Sequence, residues 1–167
     1  VNDIDEKLCS DITRSLFADD VALLSTAPNI EKCSSKITTA LKEIEKWTEK
    51  WKVNWNTTKC SYSIFSTDPR ENNGKAKADI KLCGQDLKHE INPTFLGITF
   101  DSQLTFTPNA EKVKKDLAKR RQCLQAISGK TYGCDWKTLR TAYVAYIRAK
   151  FDYGAAIWMN HAAPSIR

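Results

Sequence analysis

Nowhere in the 167 residues does an unbroken apolar run exceed a handful of positions, so no segment reads as a membrane span or as the core of a signal peptide. Histidine is nearly absent, with only His89 and His161. Six cysteines, Cys9, Cys33, Cys60, Cys83, Cys123 and Cys134, occur without a C-x-x-C pair or a Cys/His cluster. A zinc site needs ligands converging at short spacings, which this scatter does not offer. A disulfide framework is unusual at this length without a secretory leader, so the cysteines read as reduced thiols of an intracellular protein. No clear basic targeting run separates nucleus from cytoplasm. Methionine occurs once, as Met159, and the first residue is Val1, which reads as a piece of a longer polypeptide. Internal repeats are missing too.

What remains is enough chain for one ordinary domain or two small subdomains with a hydrophobic core. Its charge is uneven. Residues 1–100 carry 14 Lys and Arg against 15 Asp and Glu, a net of −1, whereas residues 101–167 carry 12 against 5, a net of +7. A basic region confined to one part of a chain suits a polyanion such as nucleic acid, and equally suits a solvated lysine-rich helix face.

Residues 14–25 read RSLFADDVALLS, with Asp19 and Asp20 adjacent between two apolar arms. Side-by-side carboxylates repel and resist burial. Asp20 could cap a helix, but the apolar run after it lasts one turn before STAPN breaks the chain. Two short arms around a polar pair fit a β-hairpin better, with the aspartates at its tip. From Asn29 to Val53 the apolar positions Ile30, Cys33, Ile37, Leu41, Ile44, Thr48 and Trp51 recur at steps of three and four, which predicts an amphipathic helix with Asn29 as its N-cap.

Asn54, Asn56 and Thr57 favour a turn, and residues 62–65 alternate like a short strand. Residues 67–79 form a charged loop with Pro69 and an Asn-Asn-Gly turn. Strands are expected on both sides of Gly84, and a further single strand over 94–100. Two helices close the order: about 109–127 on Val113, Leu117, the Arg120/Arg121 stems, Leu124 and Ile127 with Gly129 as its stop, and about 136–151 on Leu139, Tyr143, Tyr146, Ile147 and Lys150. Strands followed by helices predict an α+β subdomain over 1–103 and a mostly helical one over 104–167.

LFADDVALLS resembles the [FY]-x-D-D box of reverse transcriptases. The long helix after it, WKVNWNTTKCSYSIFS, FLGITFDSQLTF and LQAISGKTYGCDWKTLRTAYVAYIRAKFDYGAAIW resemble, in the same order, successive segments of non-LTR retrotransposon polymerases of the jockey type. The resemblance covers nearly the whole chain. It implies the C-terminal part of a right-hand polymerase palm followed by a thumb, acting on an RNA template, a DNA primer and dNTPs.

Such an enzyme joins a primer 3′-hydroxyl to the α-phosphorus of a dNTP with loss of pyrophosphate, using two Mg²⁺ ions about 3.5–4 Å apart. Mg²⁺ is a hard ion that takes oxygen ligands, which explains carboxylates at that place. The resemblance makes Asp19 a direct metal ligand and Asp20 its partner. Phe17 takes the aromatic position of the box and Ala18 the variable position near the primer end. Lys59 aligns with a lysine near the incoming triphosphate, a proton donor to the leaving pyrophosphate, and reads equally as a solvated lysine. Phe95, Leu96 and Gly97 match a primer-grip segment, where Gly97 admits close backbone approach; a plain turn glycine is the other reading.

Lys112, Lys114, Lys115, Lys119, Arg120 and Arg121 crowd one helix, and Arg140, Arg148 and Lys150 the next, as phosphate contacts of a thumb would. Tyr143, Tyr146, Phe151, Tyr153 and Trp158 at helical spacing read first as core and second as base-stacking groups.

The family takes a third carboxylate from an earlier strand of the form F-x-x-x-FD. Before Asp19 stand only Asp3, Asp5, Glu6 and Asp11 in a polar stretch. The expectation is therefore a polymerase part that is inactive alone. The competing expectation is a non-catalytic nucleic-acid-binding or structural remnant of a degenerate element. Oligomeric state is not legible.

Overall fold

A computed structural model describes residues 12–66, 68, 76–129 and 132–159. It is a mixture of helices and short strands in two compact units, divided between Ile91 and Asn92. Asp3, Asp5, Glu6, Asp11 and most of the expected loop 67–79 lie outside the described residues.

The first unit opens with β1 (Ile12–Phe17) and β2 (Asp20–Ser25), an antiparallel hairpin in which Phe17 pairs with Asp20 and Ile12 with Ser25. Cross-strand partners share a face. Ile12, Arg14, Leu16, Val21, Leu23 and Ser25 therefore occupy one side, and Thr13, Ser15, Phe17, Asp20, Ala22 and Leu24 the other. The first side meets α1 (Ile30–Trp51), where the Cys33 thiol donates to the Ser25 carbonyl.

The helix starts as expected. The Asn29 side chain accepts from the Lys32 N–H at 3.3 Å, satisfying one of the free donors of the first turn. Lys52 ends it in a left-handed conformation. Ala40, Leu41, Ile44, Trp47 and Thr48 are buried, while Trp51, the last member of the expected stripe, is half exposed.

Beyond a 3₁₀ turn (Thr57–Lys59), β3 (Ser61–Tyr62) pairs in parallel with β6 (Lys88–His89), and Tyr62 stacks on His89 at 5.1 Å between ring centres. Regular strand stops at Tyr62 rather than running to Phe65. Between them lie β4 (Lys81–Leu82) and β5 (Gln85–Asp86), joined through Cys83 and Gly84, the latter at φ +73°. Leu41, Ile80 and Leu82 form the core, with Leu23, Ile37, Trp55, Cys60 and Tyr62 packed on it. Burial pushes the Cys60 thiol pKa up, with the neighbouring Cys83 adding to the rise.

The second unit begins with β7 (Thr94–Phe95) and β8 (Ile98–Thr99). Here the expected single strand 94–100 is a tight hairpin. Leu96 and Gly97 both take positive φ, +48° and +77°, the pattern of a type I′ turn. α2 (Thr107–Ala126) follows. Its start is held by Asp101, whose carboxylate accepts from the backbone N–H groups of Thr105 and Phe106 and from the Thr105 hydroxyl. Its end lies at Ala126, where the Ile127 N–H turns back to the Leu124 carbonyl; Gly129 stands beyond the stop it was expected to make.

The last helical stretch runs from α3 (Trp136–Ala142) through a π-helical segment (Tyr143–Arg148) into α4 (Ala149–Asp152), then across Gly154 to α5 (Ala155–Trp158). Asp135 caps α3 by accepting from the Thr138 N–H, and hydrogen bonding from Thr138, its side chain first and its backbone N–H second, holds the carboxyl pKa below the usual range. Ile98, Phe106, Ala110, Val113 and Trp158 form the core of this unit, with Phe100, Leu117 and Ala155 against it. Because Ile98 and Phe100 pack on α2, the hairpin groups with the helices, and the compact units divide at 91/92 rather than at 103/104. Among the described residues no helix is long and apolar enough to cross a membrane.

Candidate metal and nucleic-acid sites

The β1–β2 ladder closes on a two-residue loop, Ala18 and Asp19. Ala18 sits at φ +53°, a conformation that costs an L-residue about 1–2 kcal/mol. Asp19 and Asp20 are exposed, and among the described residues neither makes an ion pair or a side-chain hydrogen bond. Phe17 is 61% exposed and shares its face with Asp20. The tip therefore presents two hard oxygen donors and an open aromatic ring. Those donors suit a divalent cation, yet two side chains fill only part of an octahedral shell. No group of three or more His, Cys, Asp or Glu able to hold a metal occurs among the described residues.

Lys59 closes the 3₁₀ turn, its N–H bonded to the Asn56 carbonyl at 3.0 Å. Its side chain is exposed and makes no bond to either aspartate among the described residues. An open depression of about 300 Å³ lies elsewhere in this unit, lined by Thr38, Lys42, Glu45, Asp79, Lys81 and Gly84. Lys81 is paired there with Asp79 and with Asp86 at 3.3 Å.

In the second unit, Phe95 belongs to β7, and Leu96 with Gly97 forms the turn of its hairpin. The Tyr153 hydroxyl donates to the Leu96 carbonyl at 2.7 Å, and a Cβ built on Gly97 would meet the Tyr153 ring at 3.6 Å. That distance is ordinary contact, so Gly97 serves the turn through its φ of +77°, and the tip is fastened to Tyr153.

The basic residues of α2 fall into three sets. Lys112, Lys115 and Lys119, at steps of three and four, share one exposed stripe. Lys114 and Arg121, seven apart, are exposed on another line of the helix. Arg120 lies seven residues from the buried Val113 and therefore faces inward. Its guanidinium sits 4.5 Å over the Tyr146 ring and donates to the Tyr146 carbonyl, while Lys150 pairs with Asp116 at 3.7 Å. Both contacts bind α2 to the last helical stretch.

The aromatics of that stretch divide in a way helical spacing does not reveal. Trp158 is 5% exposed, with Phe151 edge-on against it at 5.8 Å. Tyr146 lies beneath Arg120, and Tyr153 is bonded to Leu96. Tyr143, expected in the core stripe, is 48% exposed and stands where the π-helical segment begins. Trp136, at 74% exposed, was not among the expected contact residues. A bulky aromatic directly after a capping aspartate, followed by Lys137 and Arg140, was the signal available.

The chain is similar to the RNA-directed DNA polymerase from mobile element jockey of Drosophila melanogaster, with 28% identity over 115 residues, 69% of this chain and 12% of that protein. It is also similar to the probable RNA-directed DNA polymerase from transposon BS of the same organism, at 25% over 142 residues, 85% of this chain and 15% of that protein. The jockey polymerase of Drosophila funebris is 29% identical over 90 residues, 54% of this chain and 9% of that protein. The chain therefore spans 15% or less of the length of each of these relatives. No family model matches. No solved structure matches either. The resemblance read from the sequence is borne out by these mobile-element polymerases.

Proposed function

We propose that the chain is the C-terminal part of the palm and the thumb of an RNA-directed DNA polymerase of a non-LTR retrotransposon, incomplete as a catalyst on its own. The observation that carries this reading is the hairpin with Asp19 and Asp20 exposed and, among the described residues, unpaired at its tip, followed directly by a capped amphipathic helix. Asp19 is a direct Mg²⁺ ligand and Asp20 its partner, and the remaining ligands come from outside these residues. When bound, a pair of Mg²⁺ ions activates the attacking oxygen and stabilises the leaving one. Phe17 and Ala18 border the primer end, and Lys59 stands toward the triphosphate.

Tyr153 positions the Phe95-Leu96-Gly97 turn against the primer strand. Lys112, Lys115 and Lys119 track phosphates of an RNA–DNA duplex, with Lys114 and Arg121 beside them. Arg120 supports this surface by holding the helix in place. Phosphate contacts of this kind carry no sequence information and weaken with salt.

Binding to a labelled RNA–DNA primer-template across a salt series tests the reading. Three lysine–phosphate contacts predict a slope of log affinity against log salt that flattens by about 2.7 in a Lys112/Lys115/Lys119 triple-alanine variant. An unchanged slope refutes the thumb assignment. The isolated chain with Mg²⁺ and dNTPs is expected not to extend the primer. Extension that stops in Asp19→Ala would show a complete site and overturn the claim of incompleteness.

A second reading is a non-catalytic remnant, in which Asp19 and Asp20 persist although two side chains fill only part of an octahedral shell. Genomic sequence upstream of Val1 separates the two. An open frame bearing an aspartate strand supports the polymerase part, and a stop supports the remnant.

A further inference from the structure

The exposed side of α3 and its π-helical continuation is cationic and aromatic at once. Between the capping Asp135 and Asp152 stand Lys137, Arg140, Arg148 and Lys150 and no acidic residue. Arg148 is paired with Asp152 at 3.2 Å and Lys150 with Asp116, so their charges are answered within the chain. Lys137 and Arg140 are exposed and make no side-chain bond or ion pair among the described residues. The rings behave in the same way. Tyr146, Phe151, Tyr153 and Trp158 are each committed to a partner, whereas Trp136 and Tyr143 have no ring contact among the described residues.

The four uncommitted side chains are neighbours. Trp136, Arg140 and Tyr143 fall at i, i+4 and i+7 on one stripe, with Lys137 beside it. Seven residues of helix rise about 10 Å, close to three base steps of about 3.4 Å in a stacked strand. Trp, Tyr and Arg also serve protein interfaces, but lysine is depleted from their cores, so the open Lys137 beside these rings favours a polyanion. A face that alternates open rings with open cations complements a strand whose bases stack and whose phosphates carry charge.

We propose that Trp136, Lys137, Arg140 and Tyr143 form a binding site for single-stranded nucleic acid, distinct from the lysine stripe of α2. Trp136 and Tyr143 stack on bases about three steps apart, and Arg140 and Lys137 meet the intervening phosphates. The site is tolerant of sequence, since every base offers a π-face. It stands on the second unit alone and does not require the palm and thumb reading.

The test is fluorescence anisotropy of a labelled twelve-nucleotide oligouridine with the full 167-residue chain, beside Trp136→Ala, Tyr143→Ala, Trp136→Phe and Arg140→Ala. Each alanine at a ring is expected to weaken binding about tenfold, Trp136→Phe to recover most of it, and Arg140→Ala to flatten the salt slope by about 0.7. The Lys112/Lys115/Lys119 variant keeps the oligouridine and loses the primer-template. Because Trp136 and Tyr143 are exposed, circular dichroism of their variants should match the native chain. Oligouridine binding that is absent in the native chain, or unchanged in both ring variants, overturns the site. Loss of oligouridine binding in the α2 variant overturns its distinctness. Failure of the native chain to bind primer-template, with its oligouridine binding intact, overturns the thumb reading instead.

Discussion

Tyr153 reaches across 57 positions of sequence to donate its hydroxyl to the carbonyl of Leu96, in a turn where a leucine holds the left-handed conformation at φ +48°. A strained backbone persists only where its surroundings determine it, and here one hydrogen bond fixes the turn that also carries Gly97.

Removing that bond should therefore loosen the tip. Tyr153→Phe is expected to cost about 1 kcal/mol, read as a lower midpoint in thermal denaturation. Leu96→Asn, which tolerates the left-handed region better, should recover part of the loss in the double variant. No change in midpoint on Tyr153→Phe would show that the turn needs no anchor.

The two glycines Gly154 and Gly84 should respond differently to alanine. Both have positive φ, but a Cβ on Gly154 would stand 2.5 Å from Ile98 Cδ1, whereas one on Gly84 meets nothing within 4 Å. Gly84→Ala is expected to cost about 1 kcal/mol of backbone strain. Gly154→Ala must add a displaced core residue, for a total of about 2–4 kcal/mol. Equal losses by urea denaturation would contradict the close contact.

Ala18 at the hairpin tip invites the opposite change. Ala18→Gly removes the cost of its positive φ and should stabilise the chain by about 1 kcal/mol. Asp19→Asn and Asp20→Asn should leave stability level or slightly higher, since each relieves a like-charge neighbour, while weakening any Mg²⁺ effect on the melting midpoint. A drop in stability with either asparagine would mean that the carboxylates serve the fold.

The pH dependence of α3 follows from Asp135. Its carboxyl pKa is lowered by hydrogen bonds from the Thr138 side chain and then its N–H, so the contribution is fully present above the ordinary aspartate range and is lost as pH falls through the depressed value. Asp135→Asn, which keeps the cap without the charge, should flatten that acid-side loss of helix signal in circular dichroism. An identical acid profile in the variant would show that Asp135 contributes nothing through its titration.

The first unit was largely legible in the sequence. A polar pair between apolar arms, a stripe of period 3.6 and an Asn after Pro are local signals, and they located the hairpin, α1 and its cap. The bend at Leu96 was not legible, because leucine is a poor advertisement for a left-handed turn and the residue that anchors it is far along the chain. At Arg120 the period was half legible: the stripe from Val113 reached the Arg120/Arg121 stems, and the structure packs Arg120 on Tyr146 while Arg121 stays exposed. The grouping of β7 and β8 with the helices depends on Ile98 and Phe100 packing on α2, a tertiary choice. For the proposed metal site, the sequence supplied Asp19 and Asp20, and the structure adds their exposure and, among the described residues, their lack of side-chain partners.

The π-helical segment has a consequence for how this chain can change over time. Ala149 bonds back five residues to the Val144 carbonyl, so the wide turn accommodates one residue more than an α-helix would. Deleting a single residue there would restore the α-helical count and leave everything downstream near its present phase, because the wide turn already absorbs the extra residue. Tyr153 would stay toward Leu96, and Trp158 toward the core. The wide turn thus acts as slack in the chain, and a one-codon deletion within it should be far better tolerated than one in the regular helix of Thr107–Ala126.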